Sequence, residues 1–369
     1  MHVPFVDLKL QYHSIQKEID KGIQSVIDET AFISGKYATT FEEAFAQFLG
    51  INHVIACANG TDSLEILLKA YQIGAGDEVI VPANSWISTS ESVTTVGAKV
   101  VFVDSQPSHY TIDVTKIVEK ITPRTKAIIP VHLYGCPADM DVIMQIAAQH
   151  KLIVIEDCAQ AHGATYKGKT IGTIGHASSF SFYPGKNLGA YGDAGGIATN
   201  DEAIATMARM IANHGRLGKH DHGIEGRNSR MDGIQAAILS AKLPHLEQWT
   251  QARIKHAERY LLNLTSSGIQ LPVIPDTGRH VFHLFVVQVS NREMVQQRLK
   301  EMEIETGIHY PIALPLLKAY KYLGHQPKDF PVASGQMDKL LSLPMYAELT
   351  NDQIDFVSEK LIEGLSKLT

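Results

Sequence analysis

From residue 53 onward the chain alternates short, nearly unbroken apolar runs with stretches of helical spacing. Val54–Cys57, Glu78–Val81, Lys99–Val103, Ala127–Val131 and Leu152–Glu156 read as strands. Between them the pattern predicts helices over Asp62–Tyr71, from Ile87, over Val114–Lys120 and over Met140–His150. Strands apolar on both faces, each followed by a helix, specify a largely parallel sheet covered on both sides. Ahead of this region Ile15, Ile19, Ile23 and Ile27 recur on one face, predicting an amphipathic helix that ends near Thr30. A second helix is expected over Thr40–Phe48, stopped by Gly50.

The rhythm then changes. Ala164–Tyr166, Ser178–Phe182 and Gly196–Thr199 are β runs with little room for helices between them, and Asp201–Asn213 is helical again. Residues 215–230 form a loop rich in glycine, histidine and charge. The long helical pattern over Asp232–Leu264 contains Pro244, which lacks an N–H and crowds the preceding turn, so the helix should break or kink there. Beyond Gly268 come a strand over Val281–Val289, a helix over Arg292–Met302, a short strand over Thr306–His309 and a terminal helix over Asp352–Leu368. A boundary near Pro244 gives a large domain over residues 1–244, with a helical lead, and a small C-terminal α/β domain over 245–369. No linker or repeat separates them, so the two are expected to pack tightly.

Composition narrows the class. The 44% apolar and 20% charged fractions are those of a globular chain with a full core. A net charge of −6 without a dense basic cluster speaks against nucleic-acid binding. Cys57, Cys136 and Cys158 lie far apart, which suits reduced thiols and excludes a disulfide framework. Without a signal-peptide pattern or an apolar run of about 20 residues, the expectation is a cytoplasmic protein with no membrane span.

Four stretches carry candidate chemistry. Residues 178–196, SSFSFYPGKNLGAYGDAGG, place a single lysine, Lys186, after a strand and among glycines. It is either a solvated lysine on a surface loop or an amine crowded by backbone, whose lowered pKa lets it attack a carbonyl and form a Schiff base. Residues 59–63, NGTDS, follow one strand and open a helix. Gly60 and Thr61 there form either an ordinary capped start or, with unpaired amides and hydroxyls, a phosphate cradle. Residues 156–162, EDCAQAH, lie at the carboxyl end of a strand, where parallel sheets bind ligands. Asp157 suits a protonated pyridine nitrogen; Glu156 competes for that role, but the Gln160 and His162 neighbours favour Asp157. Trp86, in the sequence PANSW, is either core or a stacking platform for a flat ring. Together these are the requirements of pyridoxal 5′-phosphate.

These stretches, with VPFVD at 3–7, NSRM at 228–231 and HYP at 309–311, make the chain similar over nearly its whole length to the DegT/DnrJ/EryC1/StrS family. Its members are nucleotide-sugar aminotransferases of the pyridoxal-phosphate-dependent fold-type I (aspartate aminotransferase-like) class. The resemblance implies a mostly parallel seven-stranded sheet plus a smaller C-terminal α/β domain. It implies that Lys186 bonds the cofactor and shuttles the proton, that Asp157 pairs with the pyridine nitrogen and that Gln160 meets the 3-hydroxyl. Trp86 would lie on the ring face, while Gly60, Thr61 and Ser181 would hold the phosphate. Asn228 would be donated to a neighbouring subunit's site, which implies a homodimer. His309 and Tyr310 resemble a substrate-side segment, and His162 and Tyr183 would line the pocket. The implied reaction passes an amino group from L-glutamate, through pyridoxamine 5′-phosphate, to a keto group of a nucleotide sugar. The run around Lys186 and the segment after His309 look most like enzymes acting at C3 of dTDP-3-keto-6-deoxyhexoses. C4 amination and a non-catalytic regulatory protein on the same fold are the rivals.

His220 and His222 lack convincing third and fourth ligands nearby, so no metal site is expected. Arg209, Arg216, Arg227 and Arg230 are either surface charge or partners for a substrate diphosphate.

Overall fold

The computed structural model describes residues 1–366. Seven strands form the central sheet: β1 (His53–Cys57), β2 (Glu78–Pro82), β3 (Lys99–Val103), β4 (Thr125–Ile128), β5 (Ile153–Asp157), β6 (Ala177–Ser181) and β7 (Gly195–Thr199). Their spatial order is β1-β7-β6-β5-β4-β2-β3. All neighbours run parallel except β7, which is antiparallel to both β1 and β6. The exception follows from the chain: no helix separates β6 from β7, so the strand returns directly. The expected seven-stranded, mostly parallel sheet is what forms.

Alternate residues of each strand feed two cores. Ile80, Ile128, Val154 and Phe180 face a core closed by the helices Gly35–Leu49 and Met140–His150. Val79, Val81, Ala127, Ile129 and Ile155 face the other, closed by Gly60–Ala70 and Glu202–Ala212. In the first core Phe45 meets Phe180 and Phe182 edge-on at 5.0 and 5.3 Å.

The helical lead differs from its expected form. It breaks at Ile15 into Leu8–Ser14, capped by Asp7, and Gln16–Asp28. Ile15 and Ile19 are buried, but Ile27 is exposed and Val26 takes its place. The cause is angular: steps of four residues drift about 40° each on a helix of 3.6 residues per turn, so the fourth isoleucine has left the face. The helix expected over Val114–Lys120 is two 3₁₀ turns. At Pro244 the expected break occurs, with helices Gly233–Lys242 and Leu246–Leu264 joined by a 3₁₀ turn.

The C-terminal part is built on a two-stranded antiparallel sheet, β8 (Phe285–Gln288) and β9 (Leu340–Leu343), packed by Leu246–Leu264, Arg292–Glu301 and Asn351–Ser366. Residues 367 and 368 of the expected terminal helix lie outside the described residues. Thr306–His309 is not a strand; only Gly307 bridges Ser342. The N-terminus joins this core, with Val3 bridging Ile304. Between β8 and β9 residues 311–339 strap back to the central sheet, at the ends of β2 and β3. Leu314 N donates to Ala83 O at 2.8 Å, and the amides of Val332 and Ala333 donate to the Asp104 carboxylate at 3.0 and 2.9 Å. Among the described residues no helix is long and apolar enough to cross a membrane.

Candidate active site

The carboxyl ends of β1, β2, β5 and β6 and the start of β7 converge on one cleft of about 570 Å³. It holds Gly60, Thr61, Trp86, Asp157, Gln160, Ser181, Tyr183, Lys186, His309 and Tyr310 on one wall or another. Residues from five separate loops thus share one volume of ordinary ligand-pocket size.

Adjacent residues of a strand face opposite ways, and this separates Glu156 from Asp157. Glu156 is fully buried away from the cleft. It accepts from the amides of Gly172, Ile174 and Gly175 at 2.9, 2.8 and 2.7 Å and bonds His132 Nε2 at 3.0 Å. Burial alone would raise this carboxyl, but the His132 bond and the amides outweigh it and hold it below the usual range. His132 Nδ1 accepts from Ala138 N at 3.0 Å, so Nε2 is the donor to Glu156. The grouping of His132, Glu156 and Cys158 therefore leaves no ring lone pair for a metal.

Asp157 lines the cleft with fewer partners: Thr89 Oγ1 donates to it at 2.8 Å and the Ala159 amide at 3.2 Å. Burial pushes its carboxyl up, opposed by those two bonds and by the Lys186 charge. Gln160 is fixed at both ends, its Oε1 accepting from Tyr134 N at 2.6 Å and its Nε2 donating to Tyr310 Oη at 3.0 Å. Burial raises the Tyr310 phenol, which stays protonated.

Lys186 sits on a turn closed by its own amide donating to Tyr183 O and by Ala190 N donating to Phe182 O, both at 2.8 Å. The turn requires glycine at 189, where a Cβ would lie 2.3 Å from Pro184 O. Lys186 Nζ forms no hydrogen bond or ion pair among the described residues. Burial of its surroundings pushes the ammonium down to about 8, with Asp157 pulling the other way. An amine that loses its proton near neutral pH can act as a nucleophile and a base.

Across the cleft the helix Gly60–Ala70 begins. Asn59 caps it by accepting from Asp62 N at 2.8 Å, while the amides of Gly60 and Thr61 have no protein acceptor among the described residues. Thr61 Oγ1 lies 2.7 Å from Ser88 Oγ. A Cβ on Gly60 would stand 2.7 Å from Ser181 Cβ, so two free amides and a serine hydroxyl converge with no side chain between them. A helix start of this kind can hold an anion. Trp86 and Tyr183 are 58% and 59% exposed at the mouth, so Trp86 is not core; its ring is 5.7 Å from that of Tyr310. A flat, anionic, cationic-ring ligand such as pyridoxal 5′-phosphate fits this donor set.

Two of the expected residues stand apart. His162 is fully buried behind the cleft between Phe180 and Phe182, and among the described residues neither ring nitrogen has a hydrogen-bond partner. Burial, and then the Lys186 charge, bring it down to about 3. Asn228 lies outside the cleft, bridging Asn213 and accepting from Arg230 Nε at 3.0 Å. Arg227 is paired with Asp62 and Glu65, and Arg209 with Glu42. His222 bonds His214 O.

The structure adds residues to which the sequence assigned no role in the site. Thr89, which orients Asp157, lies three residues beyond Trp86, on the helix following β2. Phe5 and Val6 line the cleft from the N-terminal segment, and Phe5 stacks on His309 at 5.7 Å. His283 and Met345 come from the C-terminal part; no local pattern marks either.

The DegT/DnrJ/EryC1/StrS aminotransferase family is matched across residues 13–362. A pleiotropic regulatory protein of Geobacillus stearothermophilus is 44% identical over 98% of both chains. A dTDP-3-amino-3,6-dideoxy-alpha-D-galactopyranose transaminase of Aneurinibacillus thermoaerophilus is 44% identical over 97% of this chain and 98% of its own. Among solved structures, NtdA of Bacillus subtilis, with bound cofactor PMP, superposes with a TM-score of 0.92 at 35% identity, covering 99% of this chain and 85% of that one.

Proposed function

Since the chain belongs to the DegT/DnrJ/EryC1/StrS aminotransferase family, we propose that it moves an amino group from L-glutamate to C3 of a dTDP-linked 3-keto-6-deoxyhexose. It is a pyridoxal-phosphate-dependent sugar aminotransferase; the amino donor, the nucleobase and the position on the sugar are our reading. The observation that carries it is the convergence of the Lys186 amine, the Asp157 carboxylate and the open helix start at Gly60 on one cleft. The A. thermoaerophilus transaminase, whose name places the amine on C3 of a 6-deoxy sugar, supports the position.

In this reading the free amides of Gly60 and Thr61 and the Ser181 hydroxyl hold the cofactor phosphate. Asp157, aligned by Thr89, faces the pyridine nitrogen, and Gln160 the 3-hydroxyl. When bound, the cofactor carries the amino group and accepts electron density from the reacting carbon. Lys186 supplies the base: its amine takes a proton from the donor's carbon and returns one to the sugar carbon. Tyr183, His309 and Tyr310 flank the space left for the sugar. Trp86, projecting at the mouth, covers the ring face.

We read the active form as a homodimer. Support comes from Asn228, which lies away from its own cleft, and from the exposed Trp86 and Tyr183 at the cleft mouth, an apolar surface suited to burial by a partner. A regulatory relative is among the similar chains, but a non-catalytic role gives no reason to keep a lowered-pKa lysine facing a buried carboxylate. Incubation with L-glutamate and, separately, 3-keto and 4-keto dTDP-sugars tests the proposal. It expects 2-oxoglutarate and an aminated sugar with the 3-keto compound. Turnover of the 4-keto sugar alone overturns the position, and turnover of neither overturns the substrate class.

A further inference from the structure

The helix Gly233–Lys242 turns Ala236, Leu239 and Lys242 inward. A lysine at the edge of an apolar face ordinarily extends its ammonium to water. Lys242 does not; it is 0% exposed. Its Nζ donates to Gly189 O at 2.8 Å and stands 4.3 Å from the centre of the Tyr191 ring. No carboxylate lies within ion-pair distance of it among the described residues; Glu348 acts on it only from farther off. A buried ammonium with one hydrogen bond and a ring is costly, and an apolar side chain of similar length would serve stability as well or better.

What the ammonium touches suggests its use. Gly189 ends the turn that carries Lys186, and no other donor reaches its carbonyl among the described residues. The same helix holds the next residues too, with Gln235 Oε1 accepting from Tyr191 N at 2.9 Å. Next to Lys186, Asn187 Nδ2 donates to Val281 O at 3.2 Å. The stretch that follows the reactive lysine is thus pinned at residues 187, 189 and 191, and the pin at Gly189 is a charge-assisted bond, stronger than a neutral one.

We propose that Lys242 is a positioning residue for Lys186: by gripping the Gly189 carbonyl, its ammonium fixes the turn that aims the Lys186 amine into the cleft. This rests on reading Lys186 as the reactive amine. Removing the grip leaves a buried carbonyl without a donor, and the turn relaxes toward water to satisfy it. Lys186 then gains hydration, and its amine loses both its direction and its lowered pKa.

The test uses Lys242→Met, Lys242→Arg and, as a comparison, Leu239→Ala, which opens a cavity on the same helix but keeps the Lys242 ammonium on the Gly189 carbonyl. In the cofactor-free protein, acetylation of Lys186 is followed against pH and located by peptide mass spectrometry; kcat, KM and the melting midpoint are measured on the loaded enzyme. For Lys242→Met we expect the Lys186 titration to move up by about one pH unit and kcat to fall roughly 10- to 100-fold, the fold equivalent of one hydrogen bond to a charged group, with KM little changed. Lys242→Arg should recover part of both, and Leu239→Ala should lower the melting midpoint while leaving the Lys186 titration in place. An unmoved titration in Lys242→Met, or the same profile in Leu239→Ala, overturns the proposal. If Lys242→Met does not fold, Tyr191→Leu, which removes the ring from the ammonium, should give a smaller shift of the same sign, and no shift overturns it equally. Lys186→Ala separates the two levels: turnover surviving there defeats the reactive-lysine reading itself, whatever Lys242 does.

Discussion

Gly60→Ala tests the anion cradle with a single methyl group. Its Cβ would stand 2.7 Å from Ser181 Cβ, 3.2 Å from Ser181 Cα and 3.3 Å from Ser181 Oγ. Ordinary carbon contacts begin near 3.5 Å, so helix and strand must part by about 0.8 Å. The glycine does not occupy a left-handed conformation, so alanine meets no backbone strain and gains up to about 1 kcal/mol in helix propensity. Overpacking at a rigid contact costs roughly 1–3 kcal/mol, leaving a net loss of about 1 kcal/mol. The larger effect is positional: a misplacement near 1 Å costs on the order of a hundredfold when several donors must meet one ligand. Titration of pyridoxal 5′-phosphate into cofactor-free protein, followed by absorbance, should therefore show affinity weakened roughly 10- to 100-fold, with only a small drop in melting midpoint. Leu67→Ala, buried in the same helix, should do the reverse, losing about 2–5 kcal/mol of stability without losing affinity. Wild-type affinity in Gly60→Ala would remove the phosphate from this helix start.

Asp157→Asn deletes the charge that lifts the Lys186 pKa against burial, so Lys186 should titrate below about 8, by roughly one unit. Acetylation of the cofactor-free protein against pH reads this, and a rise would contradict the assigned geometry. Glu156→Gln replaces an acceptor of four bonds by a group that must present N–H to donors, and should cost about 3 kcal/mol at pH 7 by urea denaturation. The Glu156 carboxyl lies below its unfolded value near 4.5, so its contribution is complete above that value and disappears as pH falls through the folded pKa; the gap between variant and wild type should close in acid, and a gap that widens there would be the wrong sign. Mixing Lys186→Ala with Asn228→Ala subunits should restore about a quarter of wild-type activity by random assortment, whereas no recovery would place Asn228 outside the partner's site.

The sheet was legible because its strands are buried on both faces, and continuous apolar runs such as those ending at Val81 and Val103 have few other uses. Asp157 and Glu156 could be separated only partly from sequence; strand alternation settles which one faces the cleft, and that needs the direction of the strand. Elements were misread where local pattern and tertiary context disagree. Leu340–Leu343 carries Ser342 at its centre and pairs with a strand more than fifty residues earlier, so nothing local announces it. Val114–Lys120 has helical spacing but forms two 3₁₀ turns between β3 and β4. In the cleft, Lys186, Gly60 and Trp86 sit in marked sequence surroundings, whereas Thr89, His283 and Met345 reach it only through folding. Lys242 did leave a trace: it occupies the inward position three residues after Leu239, where a charge is unexpected.

The imidazoles around the cleft decide which group can move a proton. Burial, and after it the Lys186 charge, bring His309 down to about 4 and His162 to about 3, and push His283 well below its usual range. A base at about 4 is protonated in roughly one molecule per thousand at pH 7, and its affinity for a carbon-bound proton is correspondingly poor. An efficient general base titrates near the working pH, and in the cleft that description belongs to Lys186 at about 8. The arrangement is self-reinforcing. The lysine charge helps to keep the imidazoles neutral, so they add no cation to compete for Asp157, and the carboxylate stays available to a protonated ring nitrogen. Asp157 in turn keeps the lysine from falling so far in pKa that it could no longer hold a proton between transfers. On the proposed reading, two groups of opposite charge, each shifted by burial toward its neutral form and each restrained by the other, would let the lysine take a proton from one carbon and return it to another, with the bound cofactor as the electron acceptor.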